Sequence, residues 1–224
     1  MRGRRLPQED VPFLVDKPVG FSSFQIVRLL QKRYRKIGHA GTLDPFASGL
    51  LVMLPNRCTK ECESIHKMEK EYTGEIVIGM STDTYDITGR AVSRPDRSWT
   101  ALDLEGYNQL ARRFVGEVDQ TPPRFSALKR SGRRLYELSR KREPVNIAAR
   151  RVVIRSFEIE HVDLPMLHFR AIVGKGVYIR SLAHDLGEAA GCGACLVSLR
   201  RIRIGSFHVS DALTIADVLI GASC

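Results

Sequence analysis

Leu50-Leu-Val-Met-Leu54 is an uninterrupted apolar run, and it constrains the fold more than any other stretch of the chain. An apolar run of this length reads as a buried strand, placed here at Gly49–Leu54, since a half-exposed strand would alternate. The run is entered from Gly38-His-Ala-Gly-Thr-Leu-Asp-Pro-Phe-Ala-Ser48. That stretch brackets one acidic residue, Asp44, with two glycines before it, a proline after it and small residues on both sides. A tightly turned, glycine-rich loop beside a buried strand is a good mount for a carboxylate that must approach a substrate closely. Taken alone, Asp44-Pro45 is ordinary turn chemistry.

Around this strand the patterns mix. Phe13–Lys17 reads as a short strand ending at Pro18, and Ser22 or Ser23 caps a helix through about Tyr34 with Phe24, Val27 and Leu30 on one face. A short helix is expected from Thr59 to about Met68, and a strand over Tyr72–Gly79. Leu104, Tyr107, Leu110, Ala111 and Phe114 recur at helical spacing within Asp103–Val115. Val152–Val162 and Leu167–Val173 read as paired strands around an Asp163–Met166 turn. Tyr178–Ala190 is a helix stopped by Gly191, Leu196–Val209 a strand region and Leu213–Ile220 a closing helix. Strands and helices do not alternate regularly, so the expectation is a mixed α+β fold rather than a doubly wound one.

The chain has 224 residues, enough for a substantial core. No apolar run reaches the ~18 residues of a membrane span, and no apolar segment follows the charged N-terminus, so a cytoplasmic protein is expected. Lys and Arg number 35 against 25 acids, a formal +10, which points to a polyanionic partner. Arginine dominates that basic set, and its planar fork suits phosphate and can stack on bases. Gln120–Pro144 stands apart as a basic excursion. Cys58, Cys62, Cys192, Cys195 and Cys224 are an odd set without a secretion signal, read as structural thiols rather than disulfides or a zinc site.

Five ordered blocks, spanning Lys17 to about Phe207, resemble the TruB family of tRNA pseudouridine synthases. The Gly38–Ser48 loop with Gly49-Leu-Leu resembles the family's active-site signature. The others are Lys17-Pro-Val-Gly-Phe-Ser-Ser-Phe; Lys70-Glu-Tyr72-Thr-Gly with Thr82-Asp-Thr-Tyr-Asp86-Ile-Thr-Gly; Gln120-Thr-Pro-Pro-Arg-Phe-Ser-Ala-Leu-Lys129; and Lys175-Gly-Val-Tyr178-Ile-Arg180 with Leu199-Arg-Arg-Ile-Arg.

The resemblance implies an enzyme that isomerises uridine 55 of the tRNA T-loop to pseudouridine, by an aspartate nucleophile and base flipping, with no cofactor and no metal. It implies a pseudouridine synthase fold over residues 1–210, with a mainly antiparallel central sheet, flanking helices and an active-site cleft across the sheet. Asp44 would be the nucleophile, Arg180 the cation that keeps it ionised and Tyr72 the residue stacked on the target base. His39 would hold the flipped RNA loop, while Leu199 and Tyr178 would line the base pocket. Lys17 and Asp86 carry over by motif, Lys17 as a brace for the loop and Asp86 with turn chemistry as an equal alternative. Lys129, Arg130, Arg133 and Arg134 belong to a basic RNA-binding insertion, about 120–146, in which Arg124, Arg140, Lys141 and Arg142 are further candidates. The expected partner is the tRNA T-arm, with no membrane, and the protein a monomer.

Gly174 and Val177 stand where small hydroxyl residues are usual, and Ile78 and Met80 replace more common neighbours. Residues 211–224 leave room for one short helix and no full PUA-type domain. Three alternatives stay open: a non-catalytic RNA-binding or RNA-folding protein on the same fold, a synthase guided to ribosomal RNA, and a small zinc-dependent nucleic-acid module.

Overall fold

The computed structural model describes residues 6–7, 10–93, 102–125, 129–130, 133–134 and 147–222. The chain divides into two compact units, residues 1–73 with 199–224, and residues 74–198.

In the first unit, β3 (Ser48–Pro55) is the organising strand. It pairs antiparallel with β1 (Phe13–Lys17) from Phe13↔Met53 to Lys17↔Gly49, and with β2 (Ile37–Ala40) from Ile37↔Pro55 to Ala40↔Val52. Its pairing with β12 (Ala194–Ile204) is parallel, at Arg200↔Ser48 and Arg201↔Gly49. Both faces of β3 are covered, as the unbroken apolar run requires. Leu51 and Met53 join Phe13, Val15, Ile26, Val27, Leu30 and Val218 in one cluster. Leu50, Val52 and Leu54 join Ala40, Cys58, Ile65 and Ile204 in another. Burying five such side chains at about 1.5–3 kcal/mol each makes this strand a principal source of stability.

Helix α1 (Ser23–Leu30) opens on a capping box. Gln25 N donates to Ser22 Oγ at 3.2 Å, and Ser22 N donates to Gln25 Oε1 at 2.7 Å. Its buried stripe is Ser23, Ile26, Val27 and Leu30, whereas Phe24 is exposed. The expected placement of Phe24 on the inner face is therefore corrected: Ser23 is drawn inward by a polar contact, which rotates Phe24 beyond the edge of the stripe. The expected helix at Thr59–Met68 is a 3₁₀ segment, Asn56–Glu61, running into α2 (Cys62–Lys67).

The second unit takes up β4 (Lys70–Ile78) beyond Thr73, a two-stranded ribbon of β5 (Ser81–Thr82) and β6 (Ala91–Ser93), α3 (Leu104–Arg112) and β7 (Gly116–Gln120). Then follow the hairpin β8 (Lys129–Arg130) and β9 (Arg133–Arg134), β10 (Arg150–Asp163), β11 (Met166–Val173) and α4 (Ile179–Ala189). The Asn108 side chain ties α3 to β10 in both directions, accepting from Ile159 N and donating to Ile159 O, each at 2.9 Å. β7 and β11 flank β10, both antiparallel.

The strand order is β1-β3-β12-β4-β11-β10-β7, with β2 on β3 and β13 (Phe207–His208) on β12. β4 and β12 each contribute residues to both units. This is a mixed α+β fold around a mostly antiparallel sheet, and α5 (Ile215–Ala222) closes the described chain. No helix among the described residues is long and apolar enough to cross a membrane.

Candidate active site

Asp44 lies half-buried in the loop that joins β2 to β3, and backbone contacts fix the residues on either side of it. The Ser23 hydroxyl donates to Leu43 O at 3.2 Å and accepts from Leu43 N at 2.9 Å. Gly20 N donates to Pro45 O at 2.8 Å, and Ala47 N to Asp44 O at 3.1 Å. The segment Gly20–Ser23 thus grips the loop immediately before and after Asp44. Those are residues of the Lys17-Pro-Val-Gly-Phe-Ser-Ser-Phe block, so that block and the Asp44 loop meet in the fold.

Beneath the loop lies a cluster of cations. Lys17, at the end of β1, is completely buried, and its Nζ donates to Phe21 O at 2.6 Å and Pro18 O at 3.0 Å. Burial holds the ammonium down to about 8, the nearby Asp44 carboxylate works in the opposite sense and Arg201 adds to the depression. Lys17 is therefore both a brace for the segment 17–21 and a cation whose field reaches Asp44. Lys70, at the start of β4, donates to the carbonyls of His66 and Met68, each at 2.7 Å, and burial with the charge of Arg201 brings it to about 8.

Two histidines share this environment. His39 on β2 is driven down to about 4 by burial, then by Arg201 and His66, so it is neutral at physiological pH. His66 is lowered by burial, Lys70 and Arg201, and its neutral Nε2 accepts from Gly41 N at 2.7 Å. Of the other expected residues in this unit, Tyr72 on β4 and Leu199 on β12 are both buried. Ser23, expected only as a possible helix cap, instead holds Leu43, while Ser22 is the cap; His66 and Arg201 carry no motif signal of their own. Arg201 was within reach, since it stands in the Leu199-Arg-Arg-Ile-Arg block.

In the second unit, Arg180 and Asp86 come together although 94 positions apart. Arg180 Nη1 lies 3.4 Å from Asp86 Oδ2, with both side chains buried. Arg180 also donates to Thr84 O at 3.1 Å and Phe125 O at 3.0 Å. Asp86 Oδ1 accepts from Thr84 Oγ1 and Thr88 N, each at 2.9 Å, and from Thr88 Oγ1. Asp86 thus combines turn chemistry with a buried ion pair, which is the position an arginine needs if it is to stay ordered. Tyr178 is the N-cap of α4, and Gln120 holds its backbone at both ends, accepting from Tyr178 N at 2.8 Å and donating to Tyr178 O at 3.1 Å. The start of α4, with Tyr178 and Arg180, is fixed accordingly.

The backbone of the basic stretch forms a hairpin in which Lys129 faces Arg134 and Arg130 faces Arg133. Arg140, Lys141 and Arg142 lie outside the described residues, as does Cys224. The thiols of Cys58, Cys62 and Cys192 donate to backbone carbonyls. Among the described residues no three His, Cys, Asp or Glu side chains form a group able to hold a metal ion.

The model of the TruB family pseudouridylate synthase N-terminal domain matches residues 28–179, and that of the tRNA pseudouridylate synthase B C-terminal domain matches residues 180–222. The tRNA pseudouridine synthase B of Chloroherpeton thalassium is 40% identical over 92% of this chain and 88% of its own length. That of Flavobacterium johnsoniae is 41% identical over 90% and 91%. Among solved structures, a Cbf5-Nop10-Gar1 complex aligns with a TM-score of 0.73 at 27% identity, covering 95% of this chain and 54% of the other. An H/ACA RNP bound to a substrate RNA containing 2'-deoxyuridine aligns with a TM-score of 0.68 at 25% identity, covering 93% and 52%. With a family model matched across most of its length and relatives at about two-fifths identity over nearly all of it, the chain belongs to the TruB family of pseudouridylate synthases.

Proposed function

We propose that this chain converts uridine 55 in the T-loop of tRNA to pseudouridine. The N1–C1′ bond of the uridine breaks, the freed base turns, and C5 bonds to C1′. The proton on C5 is released and N1 ends protonated, so atoms balance and no oxidant or energy source is consumed. Asp44 is the nucleophile. The base is flipped from its stack to reach it and is held against Tyr72, with Leu199 and Tyr178 lining the pocket. Arg180 pairs with Asp44 and keeps it ionised as water is excluded. His39, uncharged, serves as a hydrogen-bonding contact to the displaced loop. Lys129, Arg130, Arg133 and Arg134 neutralise phosphates of the T-arm.

The observation that carries the reading is the two-sided clamp of Ser23 on Leu43 and Gly20 on Pro45, which presents Asp44 on a fixed backbone. Preorganised attack geometry is worth orders of magnitude in rate. A transfer RNA substrate is favoured over a guide-directed one because the relatives named tRNA pseudouridine synthase B match this chain along nearly their whole length. The Cbf5 chain, in contrast, is matched over about half of its own.

The experiment is tritium release from an unmodified tRNA transcript labelled at uracil C5. One equivalent released by the wild type, none by Asp44→Asn, and none from a U55→C transcript supports the proposal. Turnover by Asp44→Asn eliminates the nucleophile assignment.

A further inference from the structure

Arg201 is 1% exposed, the largest fully buried side chain among the described residues, and it holds the two ends of the Asp44 loop at once. Its Nη2 donates to Gly41 O at 2.7 Å and its Nε to Leu50 O at 2.8 Å. Gly41 precedes Asp44 and Leu50 follows it, so one guanidinium closes the base of the loop. The glycines at the two ends fit this contact. Gly41 has φ +79, and a Cβ there would come within 3.2 Å of Arg201 Nη1. Gly49 has φ +102, and a Cβ there would meet the Arg201 carbonyl oxygen at 2.3 Å. Both arms of the loop therefore pack directly on this one residue, one on its side chain and one on its backbone.

The partners of this guanidinium among the described residues are carbonyls, not a carboxylate. A buried arginine without an ion-pair partner is costly to keep. If closing the loop were its only task, a neutral donor would serve at lower cost. A planar fork, however, reaches two carbonyls in fixed relative positions, which a lysine cannot reproduce. Its charge also adds to that of Lys17, beside the carboxylate of Asp44.

We infer that Arg201 is a positioning residue for the reaction: it fixes the Asp44 loop at both ends so that the carboxylate stands ready for attack. The inference rests on Asp44 being the nucleophile.

The test compares wild type, Asp44→Ala, Arg201→Lys and Gly41→Ala in single-turnover pseudouridine formation with saturating enzyme. tRNA affinity and thermal midpoint are measured on the same preparations. Misplacement of a reacting group by about 1 Å costs about 100-fold in rate, so Arg201→Lys is expected to be slower by about 10- to 100-fold. Its tRNA Kd should stay within about threefold, since Arg201 is buried and makes no RNA contact in the proposal. Gly41→Ala disturbs the same contact from the loop side and should show the same split, which covers the case in which Arg201→Lys does not fold. A wild-type rate in either folded variant, or rate and affinity falling together, overturns the inference. So does failure of both variants to fold, which would assign Arg201 to stability alone. Activity in Asp44→Ala, or none in wild type, instead removes the functional reading and the inference with it.

Discussion

Ser23→Ala is a sharp test of how the Asp44 loop is held. The Ser23 hydroxyl is buried and makes two hydrogen bonds, to the N–H and the C=O of Leu43, itself buried. Removing it orphans both backbone groups, each at about 1–3 kcal/mol, for a gross cost of roughly 2–6 kcal/mol. Two effects lower this figure. Alanine is a better helix former than serine in α1 by up to about 0.5 kcal/mol, and the exposed Thr42 and half-buried Asp44 give water partial access to the loop. The net expectation is about 2–3 kcal/mol. At roughly 2–4 °C per kcal/mol for a chain of this size, the thermal midpoint should fall by about 4–12 °C. Because Leu43 adjoins Asp44, the single-turnover rate of pseudouridine formation should fall too, with tRNA affinity little changed. Differential scanning calorimetry and rapid-quench kinetics on the same preparation read both. A shift below about 2 °C with an unchanged rate would refute the clamp.

Asp86→Ala takes the Asp86 carboxylate away from the buried Arg180 guanidinium, so a loss of up to about 3–5 kcal/mol is expected in urea unfolding; a loss below about 1 kcal/mol would show that this pair adds little to stability. Lys17 gives a pH signature. Its folded pKa of about 8 lies below the ordinary lysine value, so between pH 8 and about 10.5 the folded state has shed a proton that the unfolded chain still holds. Stability attributable to Lys17 therefore rises with pH across that window, and the difference between wild type and Lys17→Met in urea midpoints should vary there and be flat between pH 6 and 7.5. Replacing Arg133 and Arg134 by alanine should weaken tRNA binding and reduce the salt slope of log K by about 1–2, with little effect on the chemical step; an unchanged slope removes both from the interface.

How much of this was legible in the sequence depended on whether the cause was local. β3 could be read because an apolar run with no polar face has only a buried strand to become. β7 could not: Gly116-Glu-Val-Asp-Gln120 has a single apolar side chain, too weak a signal for a strand, and its strand character comes from pairing with β10. β2 was absorbed into the glycine-rich loop, and its strand character comes from β3. Helix α1 was read four residues too long, since no glycine or proline marks its end at Leu30. In the site, the backbone clamp, the buried state of Arg201 and the pairing of Asp86 with Arg180 all depend on partners distant in sequence. An arginine on a strand looks like a solvent-facing residue until the carbonyls that surround it are known. The roles of Tyr72 and Leu199 came from the family resemblance, because a buried tyrosine and leucine on strands look the same with or without a task.

The close fit of Gly41 and Gly49 around Arg201 implies a fixed gauge for the loop between them. The number of residues between them is set by those two contacts: adding or deleting one would carry one of the glycines off its seat. Attempts to retune this site would therefore do better to exchange residues within the loop than to lengthen or shorten it.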